Sequence, residues 1–256
     1  MDQVKHVGFE FGQNTVRKDI EKSKKLDDLI HGWPKRVENG QEIHFAKTQK
    51  QIRRLTGFCN FYSIFIENYN EIMNPFFELL KKEKTQFEWT QVEAQALVKL
   101  REEFKKEITL HTPNPEHPFQ LHIKVYETSV SALLCQTHAS TGERKIILHA
   151  SQALKKSQQS YTEVEKEMFA LAHFIKRFNF IVGGREVQIS TVYQSLLGKL
   201  RQFSNIHKKV GYWLTLINTT NLSFVLGTDT RLKKFWRNWS RKLQSAIFQW
   251  ETGHRQ

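Results

Sequence analysis

Thr48-Gln-Lys-Gln-Ile52-Arg-Arg-Leu55-Thr-Gly57-Phe-Cys59-Asn-Phe61-Tyr62 decides how this 256-residue chain is built. Ile52, Leu55, Cys59, Tyr62 and Ile66 recur at steps of three and four, one apolar stripe of a 3.6-residue period, which predicts a helix over 48–66. At about 100° per residue, Arg53, Gly57 and Phe61 line up on the opposite face. A glycine inside a helix costs about 1 kcal/mol relative to alanine, and an exposed phenylalanine does nothing for solubility. A bare glycine between a cation and an aromatic suits close approach to a flat, charged surface such as a nucleic-acid backbone and groove. Cover by a neighbouring domain explains the same pattern equally well.

N-terminal to this helix, residues 5–12 alternate apolar and polar and end in glycine, as a strand or hairpin does. Residues 17–31 are charge-rich, with Ile20, Leu26, Leu29 and Ile30 at helical spacing, and Trp33-Pro34 stops that helix. Val37–His44 reads as a polar loop around Asn39-Gly40. C-terminal to it, a second helix covers Ile72–Lys81 with Pro75 inside. Thr90-Gln-Val-Glu93 is a capping box opening a third, with Leu97, Leu100, Phe104 and Ile108 on one face.

Thr112-Pro-Asn-Pro115 marks a boundary, and beyond it the period changes to two. Phe119, Leu121, Ile123 and Val125 alternate with polar residues, predicting a strand over 118–126; Thr128–Gln136 and Lys145–Leu148 supply two more. A capping box at Thr162/Glu165 opens a helix that Gly183-Gly184 ends, and Val187–Val192 reads as a further strand. Three strands, a helix and a strand is the order in which an RNase H fold begins. The tail, Lys233-Lys-Phe-Trp-Arg-Asn-Trp-Ser-Arg-Lys242, predicts a basic, tryptophan-bearing amphipathic helix. It suits phosphates and bases, an acidic membrane surface, or packing on the domain itself.

Lys plus Arg exceed Asp plus Glu by 39 to 26, a net charge of +13. That field favours a polyanion, nucleic acid before membrane. No stretch approaches the ~20 apolar residues of a membrane span, and no apolar run follows the N-terminal charges as in a secretory signal. An intracellular protein, cytoplasmic or nuclear, is expected. Cys59 and Cys135 read as buried thiols, and the histidines show no zinc spacing with them.

The 48–80 run, with Phe65-Ile66, Pro75 and Leu79-Leu80 following the quoted helix, resembles the reverse-transcriptase thumb of retroviruses and LTR retrotransposons. Val7-Gly8-Phe9-Glu10-Phe11-Gly12 is similar to that family's primer-grip hairpin, and Trp33-Pro34 to the pair before the thumb. Phe87-x-Trp89, Pro118-Phe119-x-Leu121, Leu134-x-Gln136, Ala150-Ser151 and Tyr161-Thr162-x-x-Glu165-Lys166-Glu167 extend the resemblance into the RNase H-like region that follows. The implied fold class is α+β, a helical thumb followed by an RNase H-like α/β domain with a mixed sheet. The implied boundaries are 1–34 for the palm end, 35–113 for the thumb, 114–232 for the RNase H-like domain and 233–256 for the tail. By the resemblance, Arg53, Arg54, Gly57, Phe61, Phe9 and Gly12 contact nucleic acid, duplex DNA or RNA/DNA hybrid. The polymerase motif Tyr-x-Asp-Asp is absent from the chain, so DNA synthesis by it alone is excluded.

RNase H chemistry needs carboxylates holding two divalent ions ~4 Å apart. The family's first aspartate aligns with Lys124 and another with Val192, leaving only the helix carboxylate, Glu167. Lys124 then puts positive charge where the ions would bind. No metal or other cofactor is expected, Mg²⁺ only if residual activity persists. Decay of a working RNase H explains these losses; so does a connection domain, the metal-free RNase H-like fold of retroviral reverse transcriptases, and Leu121-His-Ile-Lys-Val125 with Trp213 and Phe224 is most similar to the connection of foamy viruses and related endogenous retroviruses. The function expected is nucleic-acid binding without polymerase or RNase H activity. The alternatives are a residually active RNase H, a host-retained module binding a polymerase subunit or another protein, and an expressed remnant.

Overall fold

Thr48 receives the Gln51 amide on its hydroxyl while the Gln51 side chain reaches back to the Thr48 backbone N–H, and this closed capping box starts the decisive helix. A computed structural model of the chain describes residues 4–38, 41–81, 83, 87–138, 140–190, 212–213 and 221–224. It begins with strands β1 (Val4–His6), β2 (Phe9–Gly12) and β3 (Thr15–Lys18), then short helices α1 (Ile20–Ser23) and α2 (Lys25–His31). The hairpin β4 (Lys35–Glu38) and β5 (Gln41–His44) precedes helices α3 (Gln49–Phe61), α4 (Tyr69–Lys81) and α5 (Gln91–Lys105). Then come strands β6 (Thr109–His111), β7 (Phe119–Val125), β8 (Ser129–Thr137) and β9 (Arg144–Ala153), helices α6 (Lys156–Gln159) and α7 (Glu163–Val182), and strands β10 (Val187–Ser190) and β11 (Leu222–Phe224).

Three expectations need correction. The polar loop over 37–44 instead belongs to an antiparallel hairpin, with Lys35 facing His44 and Glu38 facing Gln41; Asn-Gly between alternating segments is a strong hairpin signal in the sequence. The helix over 48–66 ends at Phe61. Ser63–Phe65 form a 3₁₀ turn and Ile66 is extended, which reverses the chain into α4 while keeping Phe65 and Ile66 buried. Ile108 lies beyond α5, whose C-cap Lys106 is extended, and leads into β6. That strand pairs antiparallel with β3, so the N-terminal sheet runs β1-β2-β3-β6.

The helical unit packs around Phe65, Phe76 and Leu100, with Trp33 and Trp89 edge to face at 5.7 Å. Cys59 lies in this core, where burial pushes its thiol well above the ordinary range. The second core lies between α7 and a five-stranded sheet of order β11-β10-β7-β8-β9, in which β10 is parallel to both neighbours. Both capping boxes read from sequence form, at Thr90/Glu93 and Thr162/Glu165, and Gly183 ends α7 in the left-handed conformation at φ +58°.

Strand alternation gives the sheet two faces. Leu121, Ile123, Val130, Ala132 and Leu134 meet α7. The other face is polar and turned to the helical unit: Ser129 Oγ donates to Glu71 Oε2 at 2.7 Å, and the Asn70 backbone and side-chain amides both donate to Ser151 Oγ, at 3.0 and 2.9 Å. The Lys124 ammonium pairs with Glu67 across the same seam.

Candidate nucleic-acid interface

On α3, the apolar stripe is buried and the opposite face is open. Arg53, Arg54 and Gly57 are exposed, and a Cβ added at Gly57 would meet nothing within 4 Å. Cover by a neighbouring domain, the competing explanation of this face, is therefore not found among the described residues. Arg53 is steadied by the Gln49 side-chain oxygen, 3.2 Å from its guanidinium. Phe61 is 44% exposed, and its other ring face stacks on Phe9 at 4.6 Å between centroids and 19° between planes. Two helical turns, about 12 Å, separate Arg53 from Phe61 along the axis.

Phe9 reaches Phe61 because the β1–β2 turn sits on the end of α3. Val7 and Gly8 both take positive φ, +47° and +89°, the two-residue turn that matches the twist of a hairpin. A Cβ on Gly8 would stand 2.8 Å from the Tyr62 hydroxyl and 3.1 Å from a Phe61 ring carbon. Gly8 is thus required twice, by its backbone and by the approach. Gly12, which the resemblance places with Phe9 at the nucleic acid, is not part of this approach. Gly12 lies at the other end of β2, where its neighbour is the Thr15 hydroxyl, so its role is local to the second turn. Val7-Gly8 between two alternating segments was the available signal. Gly8→Val is expected to cost about 1–3 kcal/mol of stability, read as a lower unfolding midpoint, with loss of the upfield ring-stacking shifts of Phe9 and Phe61 in the NMR spectrum.

Lys25, Phe58 and Phe61 line a shallow depression beside this turn. A larger cleft of about 530 Å³ lies nearby, its walls including Arg17, Lys18, Lys24, Arg101, Lys105 and Lys106. Lys18 is the one buried cation there: its ammonium donates to the Phe104 carbonyl at 2.8 Å, and burial lowers its pKa to about 8.

In the RNase H-like unit, Glu167 on α7 is buried, 3% exposed. Lys124 requires correction. It alternates with Leu121 and Ile123, so it projects from the opposite face of β7 and pairs with Glu67. It does not put positive charge on the α7 side. The β7 residues on Glu167's side of the sheet are apolar, and β7 carries no carboxylate at all. Among the described residues, no group of three or more His, Cys, Asp or Glu is placed to hold a metal ion. The described residues therefore do not fit a two-ion centre, which needs several hard oxygen ligands. Val192 and the basic tail fall outside the described residues. No described helix is long and apolar enough to cross a membrane.

His149, on β9, is buried on the polar face. Burial chiefly lowers its pKa below the ordinary 6.5, with Glu67 pulling the other way and Lys124 and Lys106 adding to the lowering. Unfolded, this imidazole takes up a proton near pH 6.5 that the folded chain resists. Stability is thus fully present above that pH and is lost as pH falls through the folded value. Glu67, its carboxyl held low by the Lys124 ammonium, acts with the same sign at more acid pH. Thermal midpoints are expected to fall from pH 7 to 5, and His149→Gln to flatten the upper part of that decline.

A mixed five-stranded sheet covered by α7 and preceded by a helical unit defines an α+β protein with an RNase H-like domain. Residues 89–189 match the RNase H-like domain found in reverse transcriptase. The chain is 25% identical over 232 residues to the retrovirus-related Pol polyprotein from transposon gypsy of Drosophila melanogaster, covering 86% of this chain and 20% of that polyprotein. It is 32% identical over 133 residues to the genome polyprotein of Petunia vein clearing virus, 52% of this chain and 6% of that one. The fold is similar to that of foamy viral protease-reverse transcriptase. The form in complex with double-stranded DNA superposes with a TM-score of 0.68 at 17% identity, over 89% of this chain and 38% of that one. A form in complex with RNA/DNA hybrid gives 0.64 at 16%, over 88% and 29%. The matched domain, the Pol polyprotein relatives and the fold together support a retroviral Pol-derived protein.

Proposed function

We propose that this chain binds nucleic-acid duplex, double-stranded DNA or RNA/DNA hybrid, without synthesising DNA and without cleaving the hybrid. The observation that carries this reading is the open Arg53–Gly57–Phe61 face of α3, bare at its centre and flanked by a guanidinium and a stacked aromatic pair. Its ~12 Å span covers three to four base steps at 3.4 Å each. The foamy viral proteins of similar fold were solved with these two ligands, which selects them for the test. The lack of any carboxylate on β7 supports a connection-type domain over a cleaving one. A fluorescently labelled hybrid titrated with the chain at several salt concentrations is expected to show log affinity falling linearly with log salt, with a slope of about −0.9 per phosphate neutralised on B-DNA. Affinity absent at low salt, or indifferent to it, would sink the proposal.

A second reading, residual RNase H, is favoured by one feature, the buried Glu167 carboxylate on α7. The same hybrid incubated with Mg²⁺ or Mn²⁺ decides it. Cleavage that Glu167→Gln abolishes establishes the second reading in place of the non-cleaving one.

A further inference from the structure

The polar seam between the two units lines an open cavity of about 210 Å³. Four buried polar atoms on its wall have no hydrogen-bond partner in the protein: Asn68 Oδ1, His122 Nε2, Ser131 Oγ and His149 Nε2. Ser131 and His149 are 4% and 5% exposed, so water at the molecular surface does not serve them. The strand register explains their convergence. His122 and His149 flank Leu133 on either side in one row across the sheet, and Ser131 stands opposite Lys124 in the next. A buried polar group left unpaired is destabilising. His122 Nε2, His149 Nε2 and Ser131 Oγ can each donate into the cavity, whereas Asn68 Oδ1 is an acceptor and takes a proton from water or from a ligand hydroxyl.

The chemistry of the set specifies what it fits. Burial holds both imidazoles below their ordinary pKa, so each carries one N–H at neutral pH. The Ser131 hydroxyl is another donor. Lys124 and Arg144 add positive charge at the wall, and the one carboxylate there, Glu67, is engaged by the Lys124 ammonium. Donors surrounded by net positive charge complement an anion with several acceptor oxygens. The volume is about seven times the ~30 Å³ share of a liquid water, enough for a tetrahedral oxyanion with accompanying waters.

We propose that this cavity is a binding site for a phosphate-class oxyanion, held by Ser131, His122, His149 and Arg144 at the junction of the helical and RNase H-like units. The site is separate from the open face of α3 and does not depend on it. The oxyanion is either a free phosphate or a phosphodiester of bound nucleic acid.

The test titrates inorganic phosphate into the whole chain at constant ionic strength, with chloride as the balancing salt. The Hε1 signals of His122 and His149 are expected to shift together and to saturate, with a rise in thermal midpoint that follows the same curve. Ser131→Ala and Arg144→Gln are each expected to weaken that response about tenfold, the equivalent of one charge-assisted hydrogen bond. Arg144 is exposed, so its variant folds even if the serine variant does not. Saturation with RNA/DNA hybrid before the phosphate separates the two sources: a phosphodiester site loses the phosphate response, and a free-phosphate site keeps it. Signals that move linearly without saturating, that respond equally to chloride, or that are unchanged in both variants overturn the proposal. So does a saturable response to zinc with none to phosphate.

Discussion

Arg53→Glu combined with Phe61→Ala is expected to weaken binding of an RNA/DNA hybrid by about two orders of magnitude at moderate salt. Loss of an aromatic stacking platform is worth about 1–3 kcal/mol, which at 1.4 kcal/mol per decade is roughly 5- to 140-fold. Removing one phosphate-neutralising cation lowers the steepness of the log–log salt plot by about one, and reversing its charge adds repulsion that salt screens. The two parts separate in measurement: Phe61→Ala lowers affinity at every salt concentration, whereas Arg53→Glu makes the plot shallower. Gly57 supplies the control that leaves charge untouched. Because a Cβ there meets nothing within 4 Å, Gly57→Ala is expected to raise stability by up to about 1 kcal/mol. Gly57→Leu should leave the fold intact while obstructing the approach of a duplex. A double variant that binds with wild-type affinity and an unchanged salt plot would remove α3 from the interface.

The second large effect is on stability. Phe119 opens β7, is fully buried, and packs in the core beneath α7 with the Arg185 guanidinium over its ring at 5.8 Å. Phe119→Ala removes a whole aromatic side chain from a closed core and is expected to cost about 3–5 kcal/mol. A urea unfolding curve followed by far-UV circular dichroism reads this as a lower midpoint, and an unchanged midpoint contradicts the packing. Phe76→Ala, equally buried in the helical unit, is expected to have a similar effect through a different core. The seam between the cores carries hydroxyl, amide and carboxylate contacts, with Ile146 of β9 packing against the helical core.

Local patterns carried much of the fold. The capping boxes at Thr90 and Thr162 need only four consecutive residues to be recognised, and both formed. The 100° spacing of Arg53, Gly57 and Phe61 likewise needs only helix geometry. Misreadings arose where a partner far along the chain decides the outcome. Leu110 has no visible reason to be in a strand until Val16 is beside it. Gly8 looks like an ordinary turn glycine until Tyr62 closes on it. Ser129, Ser131 and His149 read as the solvent side of an alternating strand, and only docking of the helical unit buries them. Lys124 is different, because its side of the sheet was legible. With Leu121 and Ile123 in the core, alternation already sends its ammonium away from Glu167.

The pairing of β3 with β6 gives the molecule a property of modularity. Arg17 and Thr109 are register partners on adjacent strands, about 5 Å apart, so the intervening helices leave the N-terminal sheet and return to nearly the same point. Topologically the helical unit is a cassette inserted into a β-meander. A segment whose two ends meet is exchanged, lengthened or trimmed without forcing the host sheet to open, since the distance its ends must span does not change. The third strand of the meander waits for the fourth until the whole cassette has been synthesised. The open edge of β3 is therefore covered only by a segment that leaves the ribosome after the helices.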